Sequence, residues 1–148
     1  MRNLTNLVDR WRKSGVELLP PSIPEEIQHA FSSVGAVATS DVVALYTAVG
    51  GIAGTDEFTW SLWSLKEIKS KNETPSPFGV LFADYMVEWW CYRLRANQDG
   101  TSAVLVDFGD GQEPCLVAEN VEEFVGMYLN DPHRFLTARS IQEARTLG

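Results

Sequence analysis

The stretch from Phe82 to Ala118, FADYMVEWWCYRLRANQDGTSAVLVDFGDGQEPCLVA, is cut by two tight-turn signals, Asn97-Gln98-Asp99-Gly100 and Gly109-Asp110-Gly111. Asp and Gly supply the local capping and the positive φ that a reversal needs. The apolar runs between the turns predict three strands, about Met86 to Ala96, Thr101 to Phe108 and Glu113 to Ala118. Connections this short force neighbouring strands to run antiparallel, so the stretch reads as a β-meander. On the first strand Trp90, Tyr92 and Leu94 share one face, and Trp89, Cys91 and Arg93 share the other. An indole on each face predicts cover on both sides of the sheet near its centre.

Helices flank this sheet in the sequence. Leu4, Leu7, Val8 and Trp11 form the stripe of an N-terminal helix that Gly15 stops. After the extended Leu18-Leu19-Pro20-Pro21, Ser22 and Glu25 have capping-box spacing before a second helix, with Pro24 in its first turn and Ile27, Ala30, Phe31 and Val34 on its apolar side. Ser40 is the expected cap of a third helix, along Val42, Leu45, Tyr46 and Val49, with Gly50-Gly51 as a left-handed stop. A strand at Phe58 to Trp63, a short helix at Leu65 to Lys71, a loop at Asn72 to Pro77 and a strand at Phe78 to Phe82 lead into the meander. Asn120 caps a final helix carrying Val121, Phe124, Val125, Tyr128 and Leu129, weakened by Gly126 unless something packs close there, and Asn130-Asp131-Pro132 ends it. The fold class expected is α+β, with a mixed, mostly antiparallel sheet packed by N-terminal helices and one C-terminal helix. One domain spans 1–148, its core at about 18–130 and a tail or short helix at 131–148.

The formal charge of −8 is unevenly placed. Residues 1–71 hold eight acids and seven bases, whereas residues 72–133 hold eleven acids and only Arg93 and Arg95 as bases. A field of that sign disfavours nucleic acid and anionic lipid and favours a basic partner. No run of about 18 apolar residues is present to cross a bilayer, and the N-terminus lacks the apolar segment of a signal peptide, so the expected location is cytoplasmic. Cys91 and Cys115 lie in predicted strands without CxxC spacing and read as reduced sheet residues.

The order of these motifs resembles the SUKH superfamily, which includes fungal cell-wall assembly regulators and many bacterial immunity proteins. The likeness lies in Leu19-Pro20 with Ile23-Pro24-Glu25, in Gly50-Gly51, in Trp60, Trp63, Leu65 and Glu67, in Leu81-Phe82-Ala83-Asp84, and in Val117 to Phe124, and it covers about Leu18 to Leu129. The resemblance implies an α+β domain that binds a protein, commonly to neutralise a toxin, rather than one that catalyses a reaction. It also implies an alternative role as a regulatory scaffold without a toxin partner.

Chemistry of other kinds finds little support. His29 and His133 have no nucleophile at a motif spacing, Asp107, Asp110 and Glu113 lack the alternating acids of a calcium loop, and Asp84 with Glu88 reads as a turn pair sooner than a general acid and base. No cofactor or metal is expected. The expected binding surface is an acidic face of Asp84, Glu88, Asp107, Asp110, Glu113, Glu119, Glu122 and Glu123, with Trp63, Tyr85 or Trp89 as aromatic anchors, docking onto a basic toxin domain of the nuclease type. A small-molecule pocket between sheet and helices ranks last, and the chain is expected to be a monomer or a homodimer.

Overall fold

Short turns between the later apolar strands leave antiparallel pairing as their only option, and all the strands pair in chain order. The computed structural model describes residues 2–137 and Glu143. Its elements are α1 (Arg2–Lys13), α2 (Pro24–Ser33), α3 (Ser40–Ala48), β1 (Trp60–Leu62), α4 (Leu65–Lys71), β2 (Val80–Tyr85), β3 (Trp90–Ala96), β4 (Ser102–Asp107), β5 (Cys115–Ala118), α5 (Val121–Asn130) and α6 (Pro132–Leu136). The sheet runs β1-β2-β3-β4-β5 with every pair antiparallel, so the α+β class holds, the sheet is wholly antiparallel where a mixed one was expected, and the meander runs over β2 to β5 with β1 joined to it through α4. No helix among the described residues is long and apolar enough to cross a membrane.

Trp60 is the centre of the core. Its ring meets those of Trp11, Phe82, Tyr92, Phe124 and Tyr128 at centroid distances of 5.4 to 6.5 Å. α1 and α5 therefore close over one face of the sheet, and Phe135 of α6 adds an edge contact to Phe124 at 5.1 Å. Cover on the second face is partial: Trp63 and α4 stand on the β1–β2 side, while Arg95 is exposed. Two buried carboxylates tie the elements together. Asp56 accepts from the Trp11 indole N–H, the Tyr128 hydroxyl and the backbone N–H groups of Phe58 and Trp60. Asp41 accepts from the Thr39 hydroxyl and from the backbone N–H groups of Ser102 and Val121, joining the starts of α3, β4 and α5. Hydrogen bonds from several donors are what make a buried carboxylate tolerable.

Several expected boundaries move. Ile23, not Ser22, precedes α2, and Glu26 reaches back to the Ile23 N–H at 3.3 Å, while the Ser22 N–H donates to the Tyr46 carbonyl. Thr39 precedes α3, and Ser40 donates instead to the Gly100 carbonyl. The glycine pair after α3 is not a left-handed stop. Val49 is extended, and Gly50 is needed because a Cβ there would lie 1.9 Å from the Pro20 carbonyl oxygen. At Gly126 a Cβ would meet Asn3 Nδ2 of α1 at 2.8 Å, a close approach to a side-chain end that can shift, unlike the backbone oxygen at Gly50. Pro132 ends α5 and begins α6, with Asp131 capping the Arg134 N–H at 3.3 Å. Apart from Glu143, the remainder of the expected tail, including Ile141, lies outside the described residues.

Candidate functional site

The largest departure from the sequence reading is also the feature that marks a surface. β3 begins at Trp90, and Met86 to Trp89 form a turn joining it to β2. Met86, Val87 and Glu88 have φ of 54°, 53° and 62°, three consecutive left-handed residues without a glycine among them. L-residues pay roughly 1–2 kcal/mol each for that conformation, and a β-branched residue such as Val87 is the least suited to it. The turn is fixed by its surroundings. The Trp89 N–H donates to the Tyr85 carbonyl at 3.0 Å and to the Met86 carbonyl at 3.3 Å, and the Met86 N–H donates to the carbonyl of Thr59 at 2.9 Å. Glu88 receives the Lys71 ammonium, and the Trp89 ring stacks on Trp90 at 5.1 Å.

This constrained turn holds apolar side chains out in water. Val87 is 77% exposed, Trp89 64% and Met86 43%. Strained backbone persists where the surrounding structure over-determines it, and such places cluster at binding and catalytic sites. The turn between β4 and β5 stands beside this one, because Cys91 at the start of β3 pairs with Asp107 at the end of β4. Between the two turns lies a cleft of about 190 Å³, walled by Trp89, Trp90 and Phe108 and edged by Glu88, Arg93 and Asp107. Asp107 accepts from the Arg93 guanidinium at 2.8 Å and from the Gly109 N–H at 2.9 Å, and Asp110 accepts from the Gln112 N–H at 3.0 Å. Asp110 and Glu113 are exposed on the rim.

The expected acidic face therefore divides. Glu88, Asp107, Asp110 and Glu113 gather at this end of the sheet, with Asp84 beneath them. Glu119 is fastened to the opposite end, where its carbonyl accepts from Asn97 Nδ2 at 2.8 Å, and Glu123 Oε1 accepts the Glu119 N–H at 2.9 Å. Glu122 binds the Asn3 N–H of α1 at 3.3 Å. The length of β4, about 20 Å at ~3.4 Å per residue, separates the two groups. Of the expected aromatic anchors only Trp89 is exposed. Trp63 and Tyr85 are buried, because Trp63 lies beneath Lys71 and donates its indole N–H to Asp84 at 2.6 Å, while Tyr85 packs on Trp90 at 5.1 Å. Asp84 is buried too, so it supports the turn from below instead of meeting a partner.

Burial raises the Asp84 pKa above the ordinary carboxylate value, and the Trp63 indole N–H partly offsets it. Burial likewise pushes the Cys91 thiol up to about 12, helped by the negative charge of Asp84. A thiol so protonated at neutral pH is a poor nucleophile. Among the described residues no group of three or more His, Cys, Asp or Glu side chains is placed to hold a metal ion.

Met86, Val87 and Lys71 are the participants that sequence reasoning missed. MVEW has no Gly, Asn or Asp to announce a turn, and its apolar residues continue the pattern of the strand that follows. Nothing in the sequence links Lys71 to Glu88 across 17 positions. No model of a known protein family matches the chain, and no curated protein matches it.

Proposed function

We propose that this chain is a non-catalytic protein-binding module, and that its partner is a basic protein such as a nuclease-type toxin domain, neutralised by docking. The observation that carries the reading is the left-handed turn that keeps Val87 and Trp89 exposed beside the carboxylates of Glu88, Asp110 and Glu113. An aromatic anchor inside a charged rim is the usual anatomy of an energetic centre in a protein interface. The charge supplies steering. A nuclease cleft is positive because it must hold phosphates, so an acidic protein is drawn to it and covers it.

Co-purification of the tagged protein from its native cells, washed at low and then high salt, tests this. The expected result is one basic protein that is retained at low salt, released by high salt, and absent when Trp89→Ala or the pair Asp110→Lys and Glu113→Lys is used. A partner kept equally by all three proteins overturns the reading. A basic partner with a nuclease fold supports neutralisation, and a partner without toxic activity moves the same face to a regulatory scaffold.

A further inference from the structure

The end of β3 opposite the strained turn borders a second, larger cleft. β2 begins only at Val80, opposite Leu94, so on that side β3 runs on through Arg95 and Ala96 without a neighbouring strand. The C-terminal end of α2 and the loop before β2 close around this overhang and leave a cavity of about 280 Å³. Its floor is hydrophobic core, with Phe31, Val34, Val80 and Leu94 all buried. Val37, 70% exposed, carries the apolar surface out to the rim.

The polar groups in the wall decide what the cleft can take. Asn72 and Ser102 are buried and already bonded: the Asn72 amide to the backbone of Ile68 and Leu81, and the Ser102 hydroxyl to that of Thr39. The Ala96 N–H is placed differently. The Asn97 N–H donates to the Thr101 carbonyl across the turn, so by strand alternation the Ala96 N–H points away from β4, towards the side where β2 has not begun. Arg95 is the second donor. Arg93 is spent on Asp107 and on the Gly79 carbonyl, whereas none of the ion pairs among the described residues includes Arg95, which is exposed. In a chain of net charge −8, Arg95 is also the only charged residue among those lining this cleft.

We infer that this cleft binds a small apolar carboxylic acid, with its carboxylate on Arg95 and the Ala96 N–H and its ring or branched chain on the floor of Phe31, Val34, Val80 and Leu94. A guanidinium fork matches a carboxylate, and an apolar body gains by covering a floor of this kind. One arginine in a strongly negative field favours a monoanion over a doubly charged phosphate. Strand addition by a peptide needs several open backbone positions, and the overhang offers that of Ala96 alone. Docking and ligand binding use opposite ends of β3, so either can exist without the other.

The test is an amide NMR titration of the full chain with hydrocinnamate, following the backbone N–H signals of Gly79 and Ala96. The expected result is saturable shifts at both, with binding about tenfold weaker for the neutral hydrocinnamamide and for Arg95→Gln, the size of effect a charge-assisted hydrogen bond exerts. Arg12→Gln removes the same charge from the exposed surface of α1, which does not line the cleft, and should bind as wild type does. Val37→Asp, an exposed change that sets a like charge at the rim, should weaken the acid and spare the amide. Equal binding of acid and amide overturns the site, as does Arg95→Gln binding like Arg12→Gln, or a titration that leaves Gly79 and Ala96 still. Tighter binding of acetyl-Gly-Phe, which carries the same ring beside a polypeptide C-terminus, overturns the assignment to a free acid.

Discussion

Asp84 shows how one residue is caught between fold and site. Its carboxyl is buried and donated to by Trp63, and burial holds its pKa above the ordinary value of 3.8. A carboxyl with a higher pKa folded than unfolded binds its proton more tightly in the fold, so its contribution to stability is fullest at low pH and is lost as pH rises through the folded pKa. Asp84→Asn keeps an oxygen for the Trp63 indole and removes the titration. Wild type is therefore expected to lose stability relative to Asp84→Asn as pH climbs from 3.8 towards neutrality, measured by denaturant unfolding across that range. A constant difference between the two would contradict the burial argument. Asp56 is a heavier case, because its removal orphans two side-chain and two backbone donors at once. Asp56→Ala should cost at least about 3 kcal/mol in the same assay. Trp60 was legible in the sequence as a strand aromatic. Asp56 was not, since an aspartate in a loop looks alike whether it faces water or gathers four donors.

At the scale of elements, the β2–β3 turn decides the account. The sequence-based reading carried the strand through Met86–Trp89 because alternation and β-branching favour it, and tertiary contacts from Thr59 and Lys71 override that preference. If the strain is maintained for the surface it presents, relieving it should help the fold and harm binding. Val87→Gly is predicted to raise unfolding stability by about 1 kcal/mol while weakening the partner's retention. A loss of stability would show that the turn is not strained at Val87. The glycine pair after α3 is the contrasting case. The pair was visible and its reason was not, because the close approach of Pro20 depends on how two distant segments cross. Gly50→Ala is expected to destabilise by more than about 2 kcal/mol, since the atom it strikes is backbone and cannot swing aside.

For the molecule as a whole, the excess of acid in residues 72–133 was plain from composition, and the meander turned it into geometry. Period-2 patterning gave the order and direction of the later strands, yet it could not show that the two ends of the sheet would share the acids between them, because that follows from register. The register of Cys91 with Asp107 sets the two turns side by side and leaves Glu119, Glu122 and Glu123 at the far end. Docking should accordingly involve one end of the sheet and not the other. The most direct measurement places a photo-crosslinking benzophenone residue at position 87, at the tip of the β2–β3 turn, and in a second protein at position 29, on the exposed side of α2. Illumination in native cells should join a basic protein to position 87 in salt-sensitive yield and leave position 29 without that product. Crosslinking from position 29 with none from position 87 would contradict the claim that the strained, acid-rimmed turn is the binding face.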